Sequence, residues 1–172
     1  MKTEGHAIFA AIRTALYMTA FLALWGWLAV SVQQFDPQIG IALPGVARPL
    51  GVAAMTVGAT IGLLCAFLFA ARGHGTPAPF DSPREFVGTG PYRYVRNPMY
   101  IGGVLLLIGF GLFRSSVSVL LLAVGASLLA HVFVVRVEEP SLERRFGEGY
   151  RRYKQSVNRW VPAVRSRAER RS

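Results

Sequence analysis

The chain has 172 residues, is 52% hydrophobic and has a mean hydropathy of +0.38. That is one domain's length, and more apolar than an ordinary soluble domain of this size. A net charge of +10 on such a body leaves two broad classes, a nucleic-acid binder or a membrane protein with a cationic face. One cysteine excludes an intrachain disulfide, and the lack of a Cys/His ligand pattern argues against a metal enzyme. Neither a GxSxG elbow nor a phosphate-binding P-loop is present.

Four stretches carry no Asp, Glu, Lys or Arg: residues 14–35, 49–71, 97–113 and 115–135. Three are long enough to cross about 30 Å of hydrocarbon as a helix, and the third is slightly short. The expected fold class is therefore all-α, a polytopic membrane bundle of about four transmembrane helices. With both termini on the cytoplasmic side, 17 of the 19 Lys and Arg residues fall inside and only Arg48 and Arg114 outside. Topology and anionic lipid then account for the charge, which weakens the nucleic-acid reading. Residues 1–13 form a short cytoplasmic lead. The first apolar run is long for a signal peptide and lacks a small-x-small cleavage site, so it reads as a retained helix. Cys65 lies inside the second span, where a small packing residue is expected. Gly58 and Gly62, four apart on the same span, allow close helix packing.

The loop from 33 to 48 contains Pro37, Gly40 and Pro44 as turn formers. The inside loop, 72–96, is long and broken by Pro77, Pro79 and Pro83, with Phe80, Phe86 and Val87 as apolar anchors. It leads into "GPYRYVRNPMYIGG", residues 90–103, where Arg93, Arg96, Tyr92, Tyr94 and Tyr100 crowd the mouth of the third span. Asn97 suits a helix N-cap and Pro98 the first helical position. A helix N-terminus beside two arginines favours an anion, and the tyrosines favour a cation. Interfacial anchoring is the plainer reading of the same residues.

Only "RSS", 114–116, joins spans three and four, which forces an antiparallel hairpin. That hairpin returns Glu138 and Glu139 to the membrane face of Asn97. Acidic groups at a helix C-terminus oppose its dipole, so they call for a ligand or for pairing with Arg136, Arg93 or Arg96. His131, about two turns inside the fourth span, is an ionisable group in the membrane and a candidate for function or for a bond to a neighbouring helix. Beyond Pro140, the residues Leu142, Phe146, Tyr150 and Tyr153 make one helical stripe, with Arg144, Arg145, Arg151 and Arg152 off it. This predicts a C-terminal basic amphipathic helix, followed by Trp160 as an interfacial anchor and Pro162 as a stop.

"GPYRYVRNPMYIGG", followed about 35 residues later by "EEPSLERRFGEGYRRYKQSVNRWVP", resembles the isoprenylcysteine carboxyl methyltransferase and phospholipid methyltransferase superfamily of integral membrane enzymes. The likeness covers residues 72–162 within what reads as a single membrane-embedded domain. It implies S-adenosyl-L-methionine as cofactor and a lipophilic acceptor, either a prenylated cysteine carboxylate or a lipid headgroup amine. It also implies a cofactor pocket built from Arg84, Phe86, Val87, Tyr92, Arg96, Asn97, Pro98, Met99, Tyr100 and Glu138. Candidate catalytic residues are His131, Glu139 and Arg136, with His131 or Glu139 as the base that an amine acceptor needs. Asn97 stands where the family often has histidine. Val134 stands one turn before Glu138, where the prenylcysteine enzymes carry an arginine, which speaks against a carboxylate acceptor. The competing expectations are a non-catalytic membrane protein that binds anionic lipid or a partner through its basic tail and, more distantly, a nicotinamide-dependent reductase.

Overall fold

A computed structural model describes residues 2–68 and 89–162, with side chains from residue 16 onward. Arg84, Phe86 and Val87 lie outside the described residues, as does Phe80. In chain order the elements are α1 (Lys2–Ser31), a 3₁₀ turn (Val32–Phe35), the four-residue α2 (Asp36–Ile39), α3 (Ala47–Leu68), a second 3₁₀ turn (Gly90–Arg93), α4 (Pro98–Arg114) and α5 (Val117–Phe133). A π-helical turn (Val134–Glu138) then carries the chain into α6 (Glu139–Ser156). No strand occurs among the described residues, only one parallel bridge between Val95 and Asn158.

The all-helical membrane architecture agrees with the composition. Leu16–Ile39, Ala47–Leu68 and the helix beginning at Val117 are long and apolar enough to span a bilayer, while α4 is the shorter apolar helix. The protein is an integral membrane protein. Its large apolar residues point outward, with Leu63 71% exposed and Leu128 and Leu129 each 64%. Lipid is as apolar as a leucine core, so these residues gain nothing from turning inward. Small contacts hold the interior instead. A Cβ on Gly58 would lie 2.6 Å from the Gly102 carbonyl oxygen, and one on Gly109 would lie 2.6 Å from that of Gly51. These two crossings, seven residues apart on each helix, set α3 and α4 antiparallel with their backbones in contact. Gly58 is used as expected, but within the chain; a Cβ on Gly62 would meet nothing within 4 Å.

Turn chemistry closes the end of the bundle that carries residues 32–46. Pro37 sits in the first turn of α2, and Gly40, at φ +68°, ends it in the left-handed region. Between α4 and α5, Ser115 takes φ +53° and Ser116 caps α5, its hydroxyl accepting from the Val119 amide at 3.2 Å. Asp36 accepts from the Ser118 amide at 2.9 Å, and Arg114 donates to Gln33 at 3.1 Å. The expected hairpin is therefore present, and it returns the end of α5 to the start of α4.

Three features were not foreseen. The helix of the first span reaches back to Lys2, through the segment read as a lead. The π-helical turn interrupts the passage from α5 to α6. Gly147, at φ 54° and ψ −129°, kinks α6 between its two halves. The apolar stripe of α6 survives that kink: Tyr150 is buried, Leu142, Phe146 and Tyr153 are half-buried, and Arg144, Arg145, Arg151 and Arg152 are exposed.

Candidate functional site

Four pieces of chain meet at the basic end of the bundle: residues 90–97, the first turn of α4, the π-helical turn with the start of α6, and residues 157–160. The last piece comes back along the first. Val157 is released from α6 into an extended conformation, Arg96 donates its amide to the Asn158 carbonyl at 2.9 Å, and Tyr153 donates its hydroxyl to the Tyr92 carbonyl at 2.6 Å.

Two adjacent glutamates have different surroundings. Glu139, 5% exposed, accepts from Arg96 Nη1 at 2.8 Å, from Arg159 Nε at 2.7 Å and from Arg159 Nη2 at 2.9 Å. Two guanidinium groups hold this carboxylate from two sides, and the second holds it as a fork. The fork to Glu139 raises the Arg159 guanidinium above its already high value, against the opposing effect of burial, so Arg159 is permanently cationic. Glu138 accepts only from the Tyr100 hydroxyl, at 2.8 Å, and has no cation partner among the described residues. Arg96 Nε is buried without a hydrogen-bond partner among the described residues. One oxygen of Glu138 and the buried Nε–H of Arg96 thus have no hydrogen-bond partner among the described residues.

The other described candidates lie on the second 3₁₀ turn, at the start of α4, near the end of α5 and on the π-helical turn. Pro98 opens α4 as its first residue and Met99 follows, half-buried. Asn97 occupies the N-cap position but makes no side-chain cap; its amide donates to the Arg159 carbonyl at 3.3 Å. The cap expectation is corrected here, because the side chain turns to the returning segment rather than to its own helix. The first-turn N–H groups of Met99 and Tyr100 therefore keep their capacity to donate. Tyr92 lies in the second 3₁₀ turn. Burial, and then the adjacent Cys65 thiol, push its phenol well above the ordinary value, so it stays neutral. Tyr94 is exposed, with Arg93 5.5 Å over its ring, and stands apart from Tyr92 and Tyr100.

His131, near the end of α5, is exposed and accepts from Trp160 Nε1 at its Nδ1, at 3.0 Å. A neutral imidazole that accepts at Nδ1 carries its proton on Nε2 and has no second lone pair. The Trp160 ring also meets Tyr100 edge-on, with centroids 6.4 Å apart at 84°. Trp160 therefore joins His131 to Tyr100 instead of standing alone as an anchor. Arg136 is exposed on the π-helical turn, with no hydrogen bond or ion pair among the described residues. Of the three arginines named as partners for the acidic pair, Arg96 is the one that pairs.

Sequence reasoning did not select Arg159. It lies 20 residues from Glu139 and 62 from Asn97, and no periodicity links them. The available signal was its position in "NRWVP", where the chain has just left the amphipathic helix.

Residues 46–149 match the family described as phospholipid methyltransferase. Over 72 residues, 42% of the chain, the sequence is 32% identical to the phosphatidylethanolamine N-methyltransferase of Sordaria macrospora, of which it covers 8%. Over 113 residues, 66% of the chain, it is 32% identical to the nickel-cobalt-cadmium resistance protein NccN of Alcaligenes xylosoxydans xylosoxydans, covering 47% of that protein. It is 36% identical over 63 residues to an uncharacterized protein of Haemophilus influenzae, whose whole length is covered. The chain thus spans less than a tenth of the phosphatidylethanolamine N-methyltransferase it matches and about half of NccN.

Proposed function

The chain belongs to the phospholipid methyltransferase family, and on that premise we propose that it is an S-adenosylmethionine-dependent methyltransferase acting on a lipid headgroup amine. The observation that carries this reading is a pair of groups in one cluster with unused hydrogen-bonding capacity among the described residues: Glu138, bonded there to Tyr100 alone, and the buried Arg96 Nε. The methionine part of the cofactor is a zwitterion. Glu138 would hold its ammonium. Arg96 Nε and the first-turn N–H groups of α4 would hold its carboxylate. When bound, the cofactor supplies a methyl group on a cationic sulfur for in-line displacement. Tyr92, Tyr100 and Trp160 would line the site and keep water from it.

An amine acceptor fits better than a carboxylate. Val134, one turn before Glu138, is fully buried and offers no cation. Exposed Arg136 offers its charge to the phosphodiester of a lipid headgroup. An amine must lose a proton before it attacks. Glu139 is held by two arginines, which makes it a poor acceptor for that proton. His131 can accept one only when Trp160 releases Nδ1. The distribution of basic residues supports a cytoplasmic placement of both termini and of the site, and the membrane proposed is the cytoplasmic (inner) one.

The test is calorimetric titration of the detergent-purified protein with S-adenosylhomocysteine and S-adenosylmethionine. Saturable micromolar binding, lost in Glu138→Ala, is the expected result. No binding in detergent or in lipid nanodiscs would overturn the reading and leave the basic tail as the functional feature. Truncation of residues 163–172 separates the two, because it should leave cofactor binding unchanged if the site is the cluster described above.

A further inference from the structure

We infer that Arg159 is a positioning residue that sorts the two adjacent glutamates, neutralising Glu139 so that Glu138 is left as the single carboxylate open to a cationic ligand. The inference rests on the cofactor reading above and assigns a role to a residue outside the cofactor set.

Two carboxylates on consecutive residues repel one another, and in a partly desolvated cluster neither is specified as the binding group unless something distinguishes them. Arg159 makes that distinction. Two of its nitrogens, Nε and Nη2, donate to Glu139, at 2.7 and 2.9 Å, and Glu138 receives no hydrogen bond from it. Its carbonyl takes the Asn97 amide at 3.3 Å, and the preceding residue, Asn158, takes the Arg96 amide at 2.9 Å. The same short segment therefore fixes the approach of Arg96 to Glu139 and turns the Asn97 side chain away from the N-terminus of α4. Trp160, next in the chain, packs on Tyr100, whose hydroxyl is the sole hydrogen-bond partner of Glu138 among the described residues. The π-helical turn ends at Glu138 and α6 begins at Glu139, so the backbone changes pitch between the two acids and lets them face different partners.

Without Arg159, the buried Glu139 would keep Arg96 as its one hydrogen-bonded cation among the described residues, with Lys154 acting at longer range, and Arg96 would be drawn more fully onto it. A buried charge that loses a partner is strongly disfavoured, and nearby cations reorganise to meet it. The defect should therefore disappear when the charge on Glu139 is removed as well.

The experiment is S-adenosylhomocysteine titration, with thermal unfolding recorded alongside, on the full-length wild type and on Arg159→Gln, Glu139→Gln and the double variant. Arg159→Gln is expected to lose about tenfold in affinity, and the double variant to recover to within about threefold of wild type, as coupling between contacting residues requires. Binding by wild type without recovery in the double variant would overturn the sorting role alone and point to direct contact between Arg159 and the ligand. A fall in melting temperature with unchanged affinity would also overturn it, making Arg159 a purely structural clamp. If the wild type does not bind, the cofactor reading falls and this inference with it. Should Arg159→Gln not be recovered folded, Arg159→Lys carries the test. A point charge still neutralises Glu139, so affinity should stay within about threefold, and a tenfold loss there would overturn the role.

Discussion

Tyr100 donates its hydroxyl to Glu138 Oε2 at 2.8 Å and so ties the first turn of α4 to the last residue of the π-helical turn. The two residues are 38 apart in sequence, and their contact exists because the short hairpin at Ser115 and Ser116 returns α5 alongside α4. The same contact leaves the second oxygen of Glu138 open.

Tyr100→Phe tests that relationship. It keeps the ring against Trp160 and removes the only donor to Glu138 among the described residues. Loss of a hydrogen bond to a charged acceptor should cost about 1.5 kcal/mol, or about tenfold in S-adenosylhomocysteine affinity if Glu138 holds the ligand. Calorimetry with thermal unfolding measures both quantities. Wild-type affinity in this variant would remove Tyr100 from the binding site.

The Trp160–His131 bond makes a separate prediction. With Nδ1 accepting from the indole, His131 should exist as the Nε2–H tautomer. Nitrogen-15 shifts of the selectively labelled protein report the tautomer directly. A double-mutant cycle between Trp160→Phe and His131→Ala should give about 0.5–1 kcal/mol of coupling, toward the low end because the pair is exposed. An Nδ1–H tautomer would contradict the geometry and return His131 to the position of an uncommitted base.

The parts of this protein that follow from local rules were legible in the sequence. Charge-free runs located the apolar helices, "RSS" marked the hairpin, and the four-four-three spacing from Leu142 to Tyr153 marked α6. Pro98 and Pro140 sit in first turns, as their missing N–H groups dictate. The proximity of Glu138 and Glu139 to Asn97 followed from the hairpin alone. What could not be read was the division of partners. Whether Arg96 met Glu138 or Glu139 depended on the pitch change at Val134–Glu138, and no residue in "VVRVE" encodes a π-turn by type. The Asn97 side chain had a good capping identity, but a carbonyl 62 residues away took its amide. Trp160 read as an interfacial anchor because its partners, Tyr100 and His131, come from α4 and α5, outside its own segment.

The α3–α4 crossing distinguishes two glycines that look alike in sequence. Gly58→Ala would place a Cβ 2.6 Å from the Gly102 carbonyl oxygen, forcing the helices apart, and should destabilise by about 1–3 kcal/mol. Gly62→Ala meets nothing within 4 Å and should be neutral or gain up to about 1 kcal/mol from helix propensity. Thermal unfolding of both variants in one detergent is the comparison to make. Equal losses would mean that Gly62 also packs, against another chain or a lipid.

Cys65 offers a reporter of the site from below. It is fully buried in α3, beside the Tyr92 phenol group. A membrane-permeant thiol reagent should therefore label it only when residues 90–97 lift away, and Tyr92→Ala should speed the labelling. If S-adenosylhomocysteine binds the closed arrangement alone, ligand at 100 times its Kd should slow labelling by about 100-fold, because the open population falls by the same factor. Protection of Cys65 that scales with ligand would connect the segment bearing Tyr92 and Arg96 to the binding site without any assay of turnover. Labelling that is fast in the folded wild type, or indifferent to saturating ligand, would mean that this segment opens independently of the cofactor, and Tyr92 would then be a packing residue over α3.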